Sequence, residues 1–354
     1  MEFGLSQEQS LLQDSVNKFL TDQVPLDTVR QYASGDISDQ TIWQGLTDLG
    51  IPALLIPEAQ GGIGLGMLDA VVVAEALGYH VTPAPFLSSA VVAPIALVAA
   101  GKEAMLGDIA TGQHRVGVAF GEAVGARIDA NVSVSDGRLT GKCMFVLDHE
   151  ADSYLIATPE QHLYLIAADA QGLTRNRLKS IDRTRTTSEL IMQGVTAELI
   201  STDPEVYIRA LDAGRIIQAA DTLGAAQNML DQSVSYANQR EQFNRVIASF
   251  QAVKHMCAEM VSQLEPCRSL AWYAGHAFDH VPEDSRLISC HAKAHLAEVG
   301  QFVARTSTEV HGGMGFTDLV GLHYWFKRIG ANRQLLGNPS LVREEAARLQ
   351  GYAA

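Results

Sequence analysis

The apolar residues near the start of the chain recur with the spacing of amphipathic helices. Ser6 followed by Gln9 fits a capping box, in which two residues satisfy each other's backbone groups at a helix start. A second helix is expected from Ser38 or Asp39, and further helices around Leu68–Leu77 and Ser88–Ala100. The apolar stripe of the first helix comprises Leu11, Leu12, Val16, Phe19 and Leu20, and the predicted buried side of the second comprises Ile42, Trp43, Leu46 and Leu49.

From about Arg115 the apolar period shortens to two, which is typical of half-buried strands. Asp136-Gly137 then offers a two-residue hairpin turn. Further short apolar runs continue to about Ser201 and are separated by turn residues, which predicts a small antiparallel β domain. The alternating positions are Ile128, Ala130, Val132 and Val134, and the later runs are Tyr154–Ala157, Leu163–Ala167 and Leu190–Met192.

After Asp203-Pro204 the helical period returns and continues to the end of the chain. Long helices with one apolar side pack as a bundle. The expected fold class is therefore α+β, with an all-helical domain over residues 1–110, a middle antiparallel β domain over 111–202 and a C-terminal four-helix bundle over 203–354. The predicted C-terminal helices are Glu205–Gln239, Phe250–His280 and Pro282–Val310, with shorter ones from Leu319 and Ser340.

The net charge narrows the range of functions. The 354 residues include 40 acidic and 26 basic side chains, which gives a formal charge of -14. A field of that sign repels phosphate backbones, so no nucleic-acid partner is expected. An anionic ligand stays possible, because a few basic groups can oppose the global charge locally.

The terminus and the cysteines favour a cytoplasmic protein. The chain starts directly in an amphipathic pattern without a signal-peptide layout. The longest apolar stretch, Ala90–Ala100, is too short to span a bilayer, so no membrane span is expected. Cys143, Cys257, Cys267 and Cys290 are widely spaced, which favours free thiols over disulfides. The pair His291 and His295 lacks an evident third ligand, so no metal site is predicted.

One polar segment, residues 240–251, lies between two of the predicted long helices. Its sequence is Arg-Glu-Gln-Phe-Asn-Arg-Val-Ile-Ala-Ser-Phe-Gln. Asn244 stands where a left-handed backbone is needed, a conformation that Asn tolerates better than most residues. Arg240 could pair with a diphosphate in a bidentate geometry that Lys cannot copy. On these grounds alone, a plain surface loop and a diphosphate site both stay open.

This segment resembles the acyl-CoA dehydrogenase motif Arg-x-x-Phe-Gly-x-x-Ile/Leu-x-x-Phe-Gln, with Asn244 in place of Gly. The resemblance implies that Arg240 binds the pyrophosphate of FAD and that Phe243, Phe250 and Gln251 line the same cofactor. In that family the FAD so contacted belongs largely to the neighbouring subunit. The resemblance covers most of the chain, including the Pro57–Gly62 and Glu75–Gly78 segments.

A second segment, Glu309–Thr317, is similar to the family's Gln-x-His-Gly-Gly-Ile-Gly-Phe-Thr. By itself, a Gly-Gly-x-Gly after a long helix is a helix stop followed by a tight turn. The resemblance implies that the backbone at Gly312 and Gly313 packs on the adenosine half of FAD. Glu309 occupies the Gln position, and a carboxylate facing a diphosphate would be repulsive. It therefore either points away or the cofactor lies differently.

The catalytic base of the family has no counterpart. Family members use a Glu in Tyr-Glu-Gly-Thr or in Leu-Asp-Leu-Glu-Arg, and these positions fall here at about Gly337 and at Gly214. A helical Gly costs roughly 1 kcal/mol relative to Ala, so something needs the space at Gly214. An acyl chain and close packing are both possible occupants. Asp212 and Asp221 on the same predicted helix are not expected to substitute, because of the angle and distance between them and Gly214.

The β domain departs from the family as well. The flavin-contacting Ala-Leu-Thr-Glu-Pro segment is replaced by Val118–Ala123, and Gly141–Asp148 resembles short bacterial members that form α2β2 complexes. The resemblance implies FAD, an acyl-CoA substrate, an acceptor such as electron-transfer flavoprotein, and a homo- or hetero-oligomer. Three hypotheses follow: an acyl-CoA dehydrogenase, a non-catalytic partner subunit that completes another subunit's FAD site, and an oxidase-like flavoprotein.

Overall fold

The computed structural model describes residues 4–125 and 132–353 of the chain. Ile128 and Ala130, two of the predicted strand positions, lie outside the described residues. The helices are α1 (Gln7–Gln23), α2 (Leu26–Ser34), α3 (Gln40–Asp48), α4 (Met67–Tyr79), α5 (Ala93–Ala99), α6 (Leu106–Ala110), α7 (Pro204–Gln239), α8 (Gln251–His280), α9 (Pro282–His311), α10 (His323–Gln334) and α11 (Pro339–Leu349). The strands are β1 (Val116–Ala119), β2 (Ser133–Ser135), β3 (Arg138–Leu147), β4 (Ser153–Ala157), β5 (Leu163–Ala167), β6 (Leu173–Arg177), β7 (Thr187–Thr196), β8 (Glu198–Ser201), β9 (Glu241–Gln242) and β10 (Arg245–Val246).

The predicted capping box starts α1. The Gln9 amide donates to Ser6 Oγ at 3.1 Å, and the Ser6 amide donates to Gln9 Oε1 at 2.9 Å. Helix α2, which the sequence analysis did not predict, follows directly after Pro25. Helix α3 buries Ile42, Trp43 and Leu46 as expected, but the prediction was wrong for Leu49, which follows the helix and is 37% exposed.

The segment predicted as one helix over Ser88–Ala100 contains two types of helix. Residues Phe86–Val92 form a π-helix that continues into α5. Pro94 lies in the first turn of α5, where its missing amide hydrogen costs little. The segment is buried along nearly its full length and packs against α7.

The middle of the chain forms an eight-stranded sheet in the order β6-β7-β3-β1-β4-β5-β8, with β2 paired to β3. Asp136 and Gly137 have φ of 49° and 70° and form the predicted hairpin turn between β2 and β3. The sheet departs from the purely antiparallel prediction at one place, because β1 pairs in parallel with β4. The hairpin β2–β3 separates these two strands in sequence, so β4 can return to the edge of β1 in the same direction.

The C-terminal helices form the predicted bundle. Helix α7 is the central element, and it packs along α9, α4, α8 and α10. Its residues from Ala210 to Ala226 are all buried, including the charged Asp212, Arg215 and Asp221, so this part of α7 is surrounded by protein on all sides. No described helix has the length and apolarity needed to cross a membrane. Over the same residues, no group of three or more potential metal ligands comes together.

Candidate functional site

The two segments singled out in the sequence meet at one end of the bundle. Tyr236 lies in the last turn of α7, and its ring stacks on that of His311, the last residue of α9, with centroids 4.6 Å apart. His311 is fixed by a 2.8 Å hydrogen bond between its Nδ1 and the Ser307 carbonyl. This contact places residues 240–251 beside residues 309–317. We refer to these two segments together as the clasp.

The first clasp segment is a tight hairpin. Strands β9 and β10 pair at Gln242 and Arg245, so that Phe243 and Asn244 form the two-residue turn between them. Their φ angles are 53° and 58°, as a type I′ turn requires. The left-handed conformation predicted at Asn244 is therefore confirmed. The Ile247 amide donates to the Arg240 carbonyl at 2.8 Å and closes the base of the hairpin.

Phe243 is strained and exposed at once. A bulky residue at positive φ is a conformational outlier, and this ring is 88% exposed. Its centroid lies 6.1 Å from that of Phe250 in an edge-on geometry. The guanidinium of Arg245 covers the Phe250 ring at 3.9 Å, a contact that the sequence analysis missed. Strain of this kind persists at binding sites, where an apolar ligand surface can cover the exposed ring.

The basic and polar groups of the clasp face solvent. Arg240 is exposed and forms no ion pair with any residue that the structure describes. Gln251 is the first residue of α8 and is also exposed. Glu309 lies in the last turn of α9, on its exposed side. The guanidinium group of Arg240 is therefore available to bind an anionic group, as the resemblance implies.

The second clasp segment is an open glycine turn. Gly312 has φ 57° and ψ -138°, a conformation open essentially only to glycine. A Cβ added at Gly312 or Gly313 would have no atom within 4 Å. Packing within the chain therefore does not explain the lack of a side chain at Gly313. An exposed backbone without side chains lets a ligand approach closely, so both clasp segments fit a dinucleotide.

The two expected base positions meet elsewhere, deep in the fold. Leu336, at φ 57°, precedes Gly337, at φ 105°. The Leu336 side chain packs onto Gly214, where its Cδ1 would lie 2.6 Å from an added Cβ, and Val92 Cγ2 lies 3.0 Å from the same point. Close packing thus occupies the space at Gly214. At Gly337 an added Cβ would lie 3.1 Å from Val342 Cγ2 and 3.4 Å from Arg215 Nη2, so the closest contacts at the two positions include no proton-accepting atom.

The carboxylates nearest to Gly214 on α7, Asp212 and Asp221, are bound to other side chains of the fold. Asp212 accepts a 3.3 Å hydrogen bond from Ser289 Oγ and lies 3.8 Å from Arg215. Burial raises the pKa of Asp212 to about 7. Asp221 is bound by Arg185, Arg328 and Asn332. Burial alone would raise the pKa of Asp221, but the two guanidinium groups lower it to about 2.

The segment of the β domain that differs from the family is anchored to β3. Glu122 Oε1 accepts a 3.0 Å hydrogen bond from the Met144 amide. The next residue, Phe145, has φ 55° and is 56% exposed at an irregularity in the pairing of β3 with β7. On the other side, the Phe120 ring packs on that of Tyr207 of α7 at 5.2 Å. Phe145 is a second strained, exposed aromatic that the sequence analysis did not single out.

The clasp and the expected base positions lie far apart within one chain. Gly214 and Arg240 are 26 positions apart along α7, and a helix rises about 1.5 Å per residue, so the separation is about 40 Å. A dinucleotide cofactor is shorter than this distance even when extended. A cofactor held by the clasp therefore cannot reach the Gly214 region of the same chain.

In comparison with known proteins, both helical regions match models of one protein family. Residues 6–113 match the family described as "Acyl-CoA dehydrogenase, N-terminal domain", and residues 205–349 match "Acyl-CoA dehydrogenase, C-terminal domain". The acyl-CoA dehydrogenase IpdE2 of Mycobacterium tuberculosis is 30% identical over 346 residues, which is 97% of this chain and 96% of that protein. Its namesake in Mycolicibacterium smegmatis is 27% identical over 98% of this chain and 99% of its own length.

A solved structure agrees over the full length. The structure described as "Tcur3481-Tcur3483 steroid ACAD G363A variant" superposes with a TM-score of 0.88 at 28% identity, covering 98% of each chain. The helical, sheet and bundle regions thus follow a known arrangement from end to end.

Proposed function

The chain belongs to the acyl-CoA dehydrogenase family, and from that premise we propose that it is a non-catalytic subunit of a dehydrogenase that shares its FAD sites between subunits. In this proposal the clasp holds the FAD of a partner subunit, and the partner supplies the catalytic base. The substrate of the assembly is an acyl-CoA, and its reaction is α,β-dehydrogenation.

The observation that supports this proposal most directly is the separation of about 40 Å between Arg240 and Gly214 along α7. Because the clasp cannot serve its own chain's base positions, it has a use only if a second subunit brings a flavin ring to it. The glycines at those positions, Gly214 and about Gly337, support the second part, since neither has a side chain that can remove an α-proton.

The clasp residues would act by binding and orientation. Arg240 would pair with the pyrophosphate, the exposed Phe243 ring would cover an apolar part of the cofactor, and the open backbone at Gly312 and Gly313 would pack on the adenosine half. Gln251 and Phe250 would line the same surface. When bound, FAD supplies the hydride acceptor of the reaction. Glu309 is exposed and so free to turn, and because its carboxylate repels a diphosphate we expect it to point away from that group.

The relatives support a hetero-oligomer. The solved steroid ACAD carries a name that couples two designations, Tcur3481 and Tcur3483. We therefore favour an assembly of two different family members, such as α2β2, over a homo-oligomer. Electron-transfer flavoprotein or a similar carrier would accept the electrons. The cytoplasmic location expected from the sequence is part of this proposal.

The decisive experiment is to purify the chain alone and together with a candidate partner that has a Glu at one of the two base positions. We expect the chain alone to be colourless, or to show no bleaching of flavin absorbance by acyl-CoA. The co-purified assembly should be yellow and bleach. A yellow homo-oligomer of this chain that reduces an electron acceptor with acyl-CoA would overturn the non-catalytic role.

The clasp is tested separately by Arg240→Ala in the assembly. We expect the flavin content to fall, because the pyrophosphate loses its bidentate partner. Arg343→Gln is the control, since Arg343 lies on α11 and pairs on the surface with Glu298. Unchanged flavin content in the Arg240 variant would refute its role in cofactor binding.

A further inference from the structure

Helix α2 reaches across the fold to the segment that follows the clasp. Arg30 Nη2 donates hydrogen bonds to the backbone carbonyls of Asp318 and Leu319, the latter at 2.9 Å. Its Nη1 donates to Asp27 Oδ1 at 2.7 Å, which fixes the guanidinium from the α2 side. These contacts join positions almost 290 residues apart in sequence.

The segment contacted by Arg30 begins where the glycine turn ends. We call residues 317–321 the post-turn loop. Its first residue is tied to the turn, because the Thr317 amide and hydroxyl both donate to the Met314 carbonyl, at 3.0 and 2.8 Å. At its end, Gly321 has φ 71° and lies against Leu26 of α2, whose Cδ2 would be 2.7 Å from an added Cβ. Helix α2 therefore supports the whole length of the loop.

Apolar burial holds only the end of this loop, where the half-buried Val320 packs against the main core and Gly321 lies against Leu26. Leu319 is 77% exposed, and the preceding Phe316 is 80% exposed. Hydrogen bonds that involve a charged group are roughly twice as strong as neutral ones, so the guanidinium contacts dominate the local energetics. A change at Arg30 should consequently loosen the post-turn loop and, through Thr317, the glycine turn.

We propose that Arg30 is a positioning residue for cofactor binding, which orients the Gly312–Gly315 backbone through the carbonyls of the post-turn loop. This inference rests on the proposed function, because it takes the glycine turn as part of the FAD site. Arg30 itself does not contact the clasp, and its effect passes through Asp318 and Leu319.

The Asp318 side chain provides a matched control. It is 66% exposed, and it accepts a 2.8 Å hydrogen bond from His323 Nε2 and lies 3.7 Å from Arg30 Nε. Asp318→Asn removes this weak exposed pair but leaves both backbone carbonyls in place. Arg343→Gln is a control for loss of a surface arginine elsewhere. Helix α11 packs on α9 near Cys290, and 21 residues of helix, or about 30 Å, separate Cys290 from His311.

The first measurement is hydrogen exchange in the chain alone. We expect Arg30→Gln to speed exchange of the Thr317 and Gly321 amides about ten-fold, because the loop that contains both amides loses its anchor at the Asp318 and Leu319 carbonyls. Arg30→Lys should restore part of the protection, since one ammonium can reach one carbonyl but not copy the fork. Asp318→Asn and Arg343→Gln should leave these two amides unchanged.

The second measurement is FAD affinity in the flavin-loaded assembly, followed by flavin fluorescence during dilution. Arg30→Gln should raise the Kd for FAD about five-fold to ten-fold, with partial recovery in Arg30→Lys. Unchanged exchange or unchanged affinity in Arg30→Gln would overturn the inference, as would faster exchange spread evenly over the chain. Arg240→Ala is measured in parallel. If it weakens FAD binding while Arg30→Gln does not, the inference fails and the proposed function stands; if neither does, the proposed function fails.

Discussion

Leu336 occupies the space that a side chain at Gly214 would need. Its Cδ1 lies 2.6 Å from the position of an added Cβ, closer than real atoms approach. The two residues lie far apart in sequence. Gly214 is one position at which the family resemblance leads one to expect a carboxylate, and Leu336 directly precedes the other, at about Gly337. Their packing explains the departure at Gly214: the glycine makes room for the leucine, and the leucine fills the space.

This relationship predicts strong coupling between the two positions. Gly214→Ala alone gains about 1 kcal/mol of helix propensity but loses 1–3 kcal/mol to overpacking against Leu336 and Val92. In a Leu336→Ala background the overpacking is relieved, so the same substitution should stabilise the chain. A double-mutant cycle by thermal unfolding should give a coupling energy of about 1 kcal/mol or more. Additive effects would show that the two side chains do not share this space.

Local features of the fold could be predicted from the sequence. The capping box at Ser6 and Gln9, the turn at Asp136-Gly137 and the left-handed Asn244 all depend on residues within a few positions of each other. Helix α2 escaped prediction because it is short and its buried side is narrow, with Val29 and Tyr32 as its buried residues. The parallel pairing of β1 with β4 escaped because alternation does not reveal strand order.

In the candidate site, too, the local motifs could be predicted and the long-range contacts could not. The clasp residues could be named in advance, because they form compact motifs. The contacts that organise the site, between Leu336 and Gly214, Tyr236 and His311, and Arg30 and the post-turn loop, join residues 75 to almost 290 positions apart. Nothing in the spacing of one sequence relates such positions. The only indication of Tyr236 in the sequence is its position, one helical turn before Arg240.

Asp221 should govern the response of the chain to acid. Its carboxylate lies between Arg185 and Arg328, with Asn332 as a third donor, and joins α7 to α10 and to the loop before β7. Its pKa is about 2 in the fold, against an ordinary value of 3.8. Stability from this shift is fully present above about pH 4 and is lost as the pH falls towards 2, a contribution of about 2 kcal/mol.

The matching variant is Asp221→Asn. It removes the carboxylate to which two buried guanidinium groups are bound and leaves only Asp182 as a nearby counter-charge, so we expect a loss of about 3–5 kcal/mol at pH 7. Asp231→Asn on the same helix is the control, because Asp231 is exposed and its hydrogen bonds to Tyr79 and Gln227 lie at the surface. Unfolding followed by circular dichroism from pH 2 to 7 checks both points. Equal stability losses in the two variants would contradict the role of the buried cluster.

Asp212 should have the opposite pH dependence. Burial raises its pKa to about 7, so the folded chain binds a proton between about pH 4 and 7 that the unfolded chain has released. Stability should therefore fall as the pH rises through this range. Asp212→Asn should remove this slope and stabilise the chain at pH 8 by about 1–2 kcal/mol, because the buried charge is gone. Arg215 keeps Glu345 at 2.9 Å and the Leu336 carbonyl at 3.1 Å. A difference between variant and parent that does not change with pH would exclude this explanation.

Phe243 should lower the stability of the isolated chain and strengthen cofactor binding in the assembly. In the hairpin turn it holds a left-handed conformation that costs a bulky residue roughly 1–2 kcal/mol, and its ring gains little from burial within the chain because it is 88% exposed. Asn tolerates positive φ and is favoured at this turn position. Phe243→Asn should therefore stabilise the isolated chain by about 1 kcal/mol, measured by thermal unfolding.

The same substitution should weaken FAD retention in the assembly, because an apolar contact with the cofactor is lost. Asn244→Gly, which leaves the ring in place, is the control and should keep FAD affinity unchanged. A Phe243→Asn variant that is more stable and binds FAD as tightly as the parent would show that the strained ring has no role in the shared site.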